Sequence, residues 1–148
     1  MKILVSACLM GENCKYSGSN NYAPHVMDFL TGHVVTMICP EVLAGLGIPR
    51  TPIEIVDGRL MDRDGNSVDF MLRGTIRSLV AQLRQQGYDC AVLQSRSPTC
   101  GVNEIYDGTF SGRLIPGMGV FAAALKEAGI PVIDAEDLKG DTEHAAQP

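Results

Sequence analysis

The sequence predicts a three-layer α/β fold, with a mainly parallel Rossmann-like sheet of four to five strands and helices on both faces. Two observations lead to this prediction. Short apolar, β-branched runs alternate along the chain with segments of helical periodicity, and strands separated by helices pair in parallel through right-handed crossovers. The 148 residues are 45% hydrophobic, which suits one domain with its own core. We expect a single domain over residues 1–138 and a flexible polar tail over 139–148.

Four apolar runs are predicted to form the sheet. The first directly follows Met1, and the second ends at a Cys-Pro pair. The third and fourth each lie between a predicted helix and a turn. In chain order the runs are Lys2–Ala7, His33–Ile38, Asp89–Gln94 and Ile130–Asp134. Between the second and third runs, the segment Pro49–Arg63 carries two apolar stretches separated by Asp57-Gly58, which predicts a β-hairpin.

Three segments are predicted to be helices. The central one has apolar residues at helical spacing, a start capped by Asn66 or Ser67, and an end at Gly87. The three segments are Ala23–Leu30, Asn66–Gln86 and Gly117–Ala128. The remaining Gly-rich polar stretches, Leu9–Asn21 and Ser95–Leu114, are predicted to be loops, and long loops in compact domains often carry function.

Composition excludes several classes of protein. The formal net charge is −5, no Lys/Arg run exists and tryptophan is absent, so general nucleic-acid binding is not expected. No stretch approaches the about 20 apolar residues of a membrane span, and the apolar N-terminal run is too short for a secretory signal. We therefore expect a cytoplasmic protein without a membrane partner, either a monomer or a homodimer.

The five cysteines are an odd number, and in a cytoplasmic chain they are expected to be reduced. Cys8 follows the first predicted strand, Cys39 follows the second, and Cys100 lies in the loop after the third. Ligands of parallel sheets bind outside the carboxyl ends of the strands. These three thiols are therefore predicted to converge at one edge of the sheet, where they suit a soft metal centre.

The other two cysteines differ in position. Cys90 stands at the amino end of its strand, away from this edge, and is predicted to be core filler. Cys14 lies in the first loop and can approach the edge, with a direct role left open. A structural zinc wants four closed ligands, whereas three thiolates without an obvious fourth ligand leave an open position. The residues alone leave zinc and iron–sulfur undecided, and a non-enzymatic metal or thiol sensor is an alternative.

Polar residues near the cysteines have two interpretations each. Glu41 is either a general base or acid, or a carboxylate that favours a helix N-terminus. Ser97 either hydrogen-bonds a ligand or caps a turn. Arg96 either orients an anionic or carbonyl group or forms a surface ion pair. Further candidates for polar ligand contacts lie on the first strand and in the first loop: Ser6, Glu12, Ser17, Asn20 and Asn21.

The segment Gly117–Ala122 imitates the dinucleotide-binding pattern GxGxxA. The pattern needs a strand directly before it, and only Leu114-Ile115 can supply one. Small residues there equally suit close packing of a helix on the sheet. A nucleotide-binding α/β protein is therefore a further alternative.

Four motifs, taken together and in order, resemble the single-domain thiouracil desulfurase (desulfidase) family. They are Val5–Gly11, Cys39–Val42, Ser95–Gly101 and Ile105–Gly112. The resemblance implies a 4Fe–4S cluster on three cysteines with one open iron, matching Cys8, Cys39 and Cys100. It also implies catalytic roles for Glu41 and Ser97, and removal of sulfur from a thiolated pyrimidine to give the oxo base and hydrogen sulfide.

The match is not complete. Cys14 and Cys90 correspond to no ligand position of the family. Met10 stands where leucine is common, and Gln94 where lysine is common. The second departure concerns contacts with the substrate rather than the cluster.

Overall fold

The computed structural model describes residues 1–138, so the predicted tail 139–148 lies outside the described residues. The strands are β1 Lys2–Ser6, β2 Val34–Ile38, β3 Ile53–Val56, β4 Arg59–Asp62, β5 Cys90–Leu93, β6 Glu104–Tyr106, β7 Leu114–Pro116 and β8 Val132–Asp134. The α-helices are α1 Pro24–Leu30, α2 Pro40–Leu43, α3 Asp69–Arg84 and α4 Val120–Glu127. A short 3₁₀ turn, Ala7–Met10, follows β1 directly.

The central sheet has four parallel strands in the order β2-β1-β5-β8. Leu4 of β1 lies opposite Thr36 of β2 on one side and Ala91 of β5 on the other. The chain leaves β1 toward β2 but leaves β5 toward β8, so the direction of winding reverses between β1 and β5. Such a reversal opens a crevice at the carboxyl ends of the strands, where ligands of α/β sheets bind.

Apolar side chains alternate between the two faces of β1, as the two-residue period of a strand requires. Leu4 packs with the buried faces of α3 and α4, which include Leu72 and Phe121. Ile3 and Val5 pack on the other face with α1. Helices therefore cover both faces of the sheet, and the predicted three-layer α/β fold is confirmed.

The hairpin at Asp57-Gly58 is present as the antiparallel pair β3–β4, with Val56 opposite Arg59. Asp57 and Gly58 both have positive φ, of 49° and 79°, which is the geometry of the tight turn that this pair favours. Helix α3 begins at Asp69, later than predicted. The Asp62 carboxylate accepts the backbone N–H groups of Asp64 and Asn66, which keeps Asn66 in a turn instead of the helix.

The predicted loop Ser95–Leu114 is wrong in its second half, because β6 and β7 pair there as a small antiparallel hairpin. Each strand has three residues, and β7 is exposed and ends in proline, so the usual signals of a strand are missing. None of the helices within residues 1–138 is both long and apolar enough to cross a membrane.

Candidate active site

A cavity of about 450 Å³ lies at the carboxyl edge of the sheet, between the sheet and the two hairpins. Cys8 reaches it from the 3₁₀ turn after β1, Cys39 from the residue before α2, and Cys100 from the loop after β5. Cys14, from the first loop, lines the same cavity. Cys90 lies in the core on the α1 face, as the sequence predicted. The structure therefore brings four thiols together from four separate segments.

Burial raises the pKa values of three of these thiols. Burial raises the pKa of Cys100 far above the ordinary 9.0, opposed by a hydrogen bond from Ser6 and reinforced by nearby Cys8. Burial also raises the pKa of Cys8, and it raises the pKa of Cys14 to about 12 with Cys39 as the next cause. Thiolates are costly in such a place unless a cation accompanies them. A metal centre supplies that charge and keeps coordinating thiols deprotonated.

The donor type favours a soft metal centre. Within residues 1–138, no three His, Cys, Asp or Glu side chains stand close enough to hold a single metal ion. Cysteine thiolates are the usual ligands of iron–sulfur clusters, in which each sulfur binds a different iron.

Glu41 is fixed at the cavity wall by two donors. Arg50 Nε donates to Oε1 at 2.9 Å, and the Thr99 hydroxyl donates to Oε2 at 2.9 Å. The side chains of Arg50 and Glu41 are only 8% and 15% exposed. Glu41 also lies in the first turn of α2, so both of its predicted roles are compatible with its position. Both carboxylate oxygens are held, which fixes the group at the cavity wall.

Arg50 is a residue that the sequence reasoning missed. Besides Glu41, its Nη2 donates to the Cys14 carbonyl at 2.9 Å and its Nη1 to the Gly47 carbonyl at 3.1 Å. It thereby joins the first loop to the start of α2. A single arginine in a Gly/Pro-rich loop belongs to no periodic pattern. The only sequence signal that could have pointed to it is that no other Lys or Arg stands near it in the sequence.

The loop that carries Cys100 is held by Ser97 and by α4. Ser97 Oγ accepts the backbone N–H of Thr99 at 3.1 Å and of Cys100 at 3.0 Å. Gly119, the residue before α4, donates its N–H to the Gly101 carbonyl at 2.7 Å. The first N–H groups of α4 donate to carbonyls of the same loop: Val120 to Pro98, and Phe121 and Ala122 to Thr99.

The pattern Gly117–Ala122 therefore serves packing rather than phosphate binding. A Cβ on Gly119 would lie 2.5 Å from the Thr99 backbone. The amide groups that a dinucleotide phosphate would need already donate to the loop. No sequence motif then supports the alternative of a nucleotide-binding protein.

Residues 3–137 match the family model of 2-thiouracil desulfurase. The chain belongs to the 2-thiouracil desulfurase family. Both the family and the enzyme class predicted from the four motifs are confirmed.

Two relatives of this desulfurase chain can be compared in detail. The uncharacterized protein YbbK of Bacillus subtilis (strain 168) is 36% identical over 147 residues, covering 92% of this chain and 97% of YbbK. A solved structure, the 4Fe–4S-dependent thiouracil desulfidase TudS, superposes with a TM-score of 0.84 at 30% identity, covering 99% of both chains. The predicted fold class agrees with that of TudS.

The residues predicted to contact substrate in this desulfurase fall into two groups. Ser6 and Arg96 line the cavity, where Ser6 Oγ accepts the Gln94 N–H and Arg96 pairs with Glu136. Three others lie on the exposed surface of the first loop, away from the lining: Glu12, Ser17 and Asn20. Asn21 lines the cavity and donates its side-chain N–H to Cys8 Sγ at 3.5 Å.

Proposed function

We propose that this chain is a 4Fe–4S-dependent desulfurase that removes sulfur from a thiolated pyrimidine, giving the oxo base and hydrogen sulfide. The observation that carries the proposal is the convergence of Cys8, Cys39 and Cys100 on one cavity with the Glu41 carboxylate beside them. Membership of the 2-thiouracil desulfurase family and the likeness to TudS support it.

Three thiols would hold the cluster and leave one iron without a protein ligand: Cys8, Cys39 and Cys100. When bound, the cluster supplies a Lewis-acidic iron for the thiocarbonyl sulfur and a place for the departing sulfide. Cys14 lines the cavity but has no counterpart in the family's ligand set. These cluster ligands would come from three different structural segments that meet at the cavity.

We assign to Glu41 the role of proton carrier. Its carboxylate takes one proton from a water as the water oxygen adds to the thiocarbonyl carbon, and passes that proton to the sulfur. It then takes the second proton from the new hydroxyl as the C–S bond breaks and passes it to the sulfur, which leaves as hydrogen sulfide. One water and one C=S group give one C=O group and hydrogen sulfide, so no electrons are exchanged. Arg50 and Thr99 hold both Glu41 oxygens, which keeps the group at a fixed point of the wall.

Ser97 has a donor left for the substrate. Its oxygen already accepts two backbone N–H groups, of Thr99 and Cys100. Its own hydroxyl hydrogen makes no hydrogen bond to residues 1–138, and the residue lines the cavity. We assign to Ser97 a hydrogen bond to a ring oxygen or nitrogen of the substrate, which holds the ring during addition of water.

The test compares two cysteine variants after anaerobic reconstitution with iron and sulfide. Wild-type protein and Cys90→Ala should show Fe–S charge-transfer absorption and release sulfide from 2-thiouracil. Cys39→Ala should lose both. A wild-type protein that binds the cluster but releases no sulfide would refute the enzyme and favour a sensor. Full activity in Cys39→Ala would refute the site.

A further inference from the structure

The wall of the cavity formed by the two hairpins contains a buried carboxylate that no motif predicted. Glu54 lies on β3, is only 7% exposed, and lines the cavity. Its Oε1 accepts the backbone N–H of Gly108 at 2.9 Å and of Phe110 at 3.1 Å. Glu54 therefore fixes the loop between β6 and β7 against β3.

The second oxygen of Glu54 is not used by the protein. Among residues 1–138, no donor hydrogen-bonds to Oε2. Within residues 1–138 no side-chain oxygen without a hydrogen bond is fully buried, so Oε2 retains some exposure to solvent, and the residue lines the cavity. An ionised carboxylate oxygen is an acceptor, and a bound ligand with an N–H group would supply a donor for it.

One of the two residues whose backbone N–H groups Glu54 holds is aromatic. Phe110, held through its N–H by Glu54, is half-buried and lines the cavity. It packs in neither hydrophobic core of the described chain. Its φ is +57°, a backbone conformation that bulky residues rarely adopt. Phe110 and Glu54 thus offer a flat ring a stacking surface and a hydrogen-bond acceptor in the same cavity.

We propose that Glu54 Oε2 accepts a hydrogen bond from the N3–H of a uracil-type ring stacked on Phe110. The inference rests on the proposed function and names the base that the site selects. N3 lies next to both C2 and C4, so the same contact serves a 2-thio or a 4-thio base, free or as a nucleoside. A cytosine-type ring has an unprotonated N3 there, and two acceptors would face each other. Glu54 thereby selects thiouracils over thiocytosines.

Glu54→Gln tests this while preserving the loop. The amide oxygen of glutamine can still accept from Gly108 and Phe110, but the atom facing the cavity changes from acceptor to donor. We would measure calorimetric binding of uracil and of cytosine to the full chain, with and without the reconstituted cluster. Sulfide release from 2-thiouracil and 2-thiocytosine follows on the reconstituted protein. Glu104→Gln, exposed on β6 outside the cavity, is the matched control.

In wild type and Glu104→Gln, uracil should bind at least about tenfold tighter than cytosine, and Glu54→Gln should reverse this order. The kcat/KM values for the two thiolated bases should change in the same direction. Equal weakening of both bases in Glu54→Gln would mean that Glu54 only holds the loop, and would overturn the inference. Uracil binding that depends on Glu54 in a protein releasing no sulfide would refute the enzyme alone.

Discussion

Replacing Gly119 with alanine tests how the Cys100 loop is held. The added Cβ would lie 2.5 Å from the carbonyl carbon and oxygen of Thr99 and 2.8 Å from the Cys100 nitrogen. These are backbone atoms, so no side chain can rotate away to make room. Either α4 or the Cys100 loop must move.

The expected loss of stability in Gly119→Ala has two contributions. Overpacking against fixed atoms costs about 1–3 kcal/mol. Displacement also weakens the bonds of Gly119 to Gly101 at 2.7 Å and of Phe121 to Thr99 at 2.8 Å, each with a net value of about 1 kcal/mol. We expect Gly119→Ala to lower the free energy of unfolding by about 3–5 kcal/mol, a large part of the stability of such a domain.

Urea unfolding of the cluster-free protein measures this change, and the matched control is Gly74→Ala. Gly74 lies within α3, and a Cβ there meets nothing within 4 Å. Alanine at an open helical position should stabilise the protein by about 0.5–1 kcal/mol. The same substitution therefore has opposite signs at the two sites. Gly119→Ala with a stability within about 1 kcal/mol of wild type would refute the packing argument.

Two other predictions concern the ionisable residues Arg50 and Cys14. Arg50→Ala leaves the half-buried Glu41 without its partner and should lower the free energy of unfolding by about 3–5 kcal/mol. The control, Arg73→Ala, removes the more exposed Arg73–Asp69 pair and should lower it by less than about 1 kcal/mol. Urea titrations that show similar losses of stability in the two variants would contradict this prediction. The pKa of Cys14 is raised to about 12 from 9.0, so between these pH values the unfolded chain loses a proton that the folded chain keeps. Stability of the cluster-free protein should fall as pH rises through this window, and Cys14→Ser should reduce the fall; an unchanged pH profile in Cys14→Ser would count against the raised pKa.

Much of the arrangement of thiols followed from the sequence because it depends on strand order. Cys8 and Cys39 directly follow apolar runs, and parallel strands end at one edge. The turn at Asp57-Gly58 followed from local turn chemistry. These signals are local in sequence or follow from a general rule of parallel sheets, so one chain is enough to detect them.

The opposite wall of the cavity could not be predicted in the same way. Glu54 alternates with apolar neighbours on β3 and gives no sign that its face is buried. Its partners Gly108 and Phe110 lie more than fifty residues later along the chain. Thr99 likewise meets Glu41 from 58 residues along the chain, and Arg50 meets it across the irregular segment after α2. Contacts of this kind follow from tertiary packing, not from spacing.

The placement of the thiols on β1, β2 and the loop after β5 has a consequence for biosynthesis. Strands β1 and β2 pair within the first 38 residues, and Cys8 and Cys39 follow these two strands at the same edge of the sheet. The third thiol arrives only when β5 has docked on the far side of β1 and α4 has bonded to the Cys100 loop. Under the proposed ligation, a chain that ends before α4 would already contain Cys100 but would lack the helix that holds its loop. We expect such a fragment to bind a cluster less well than the chain that includes α4, so cluster loading would distinguish the two.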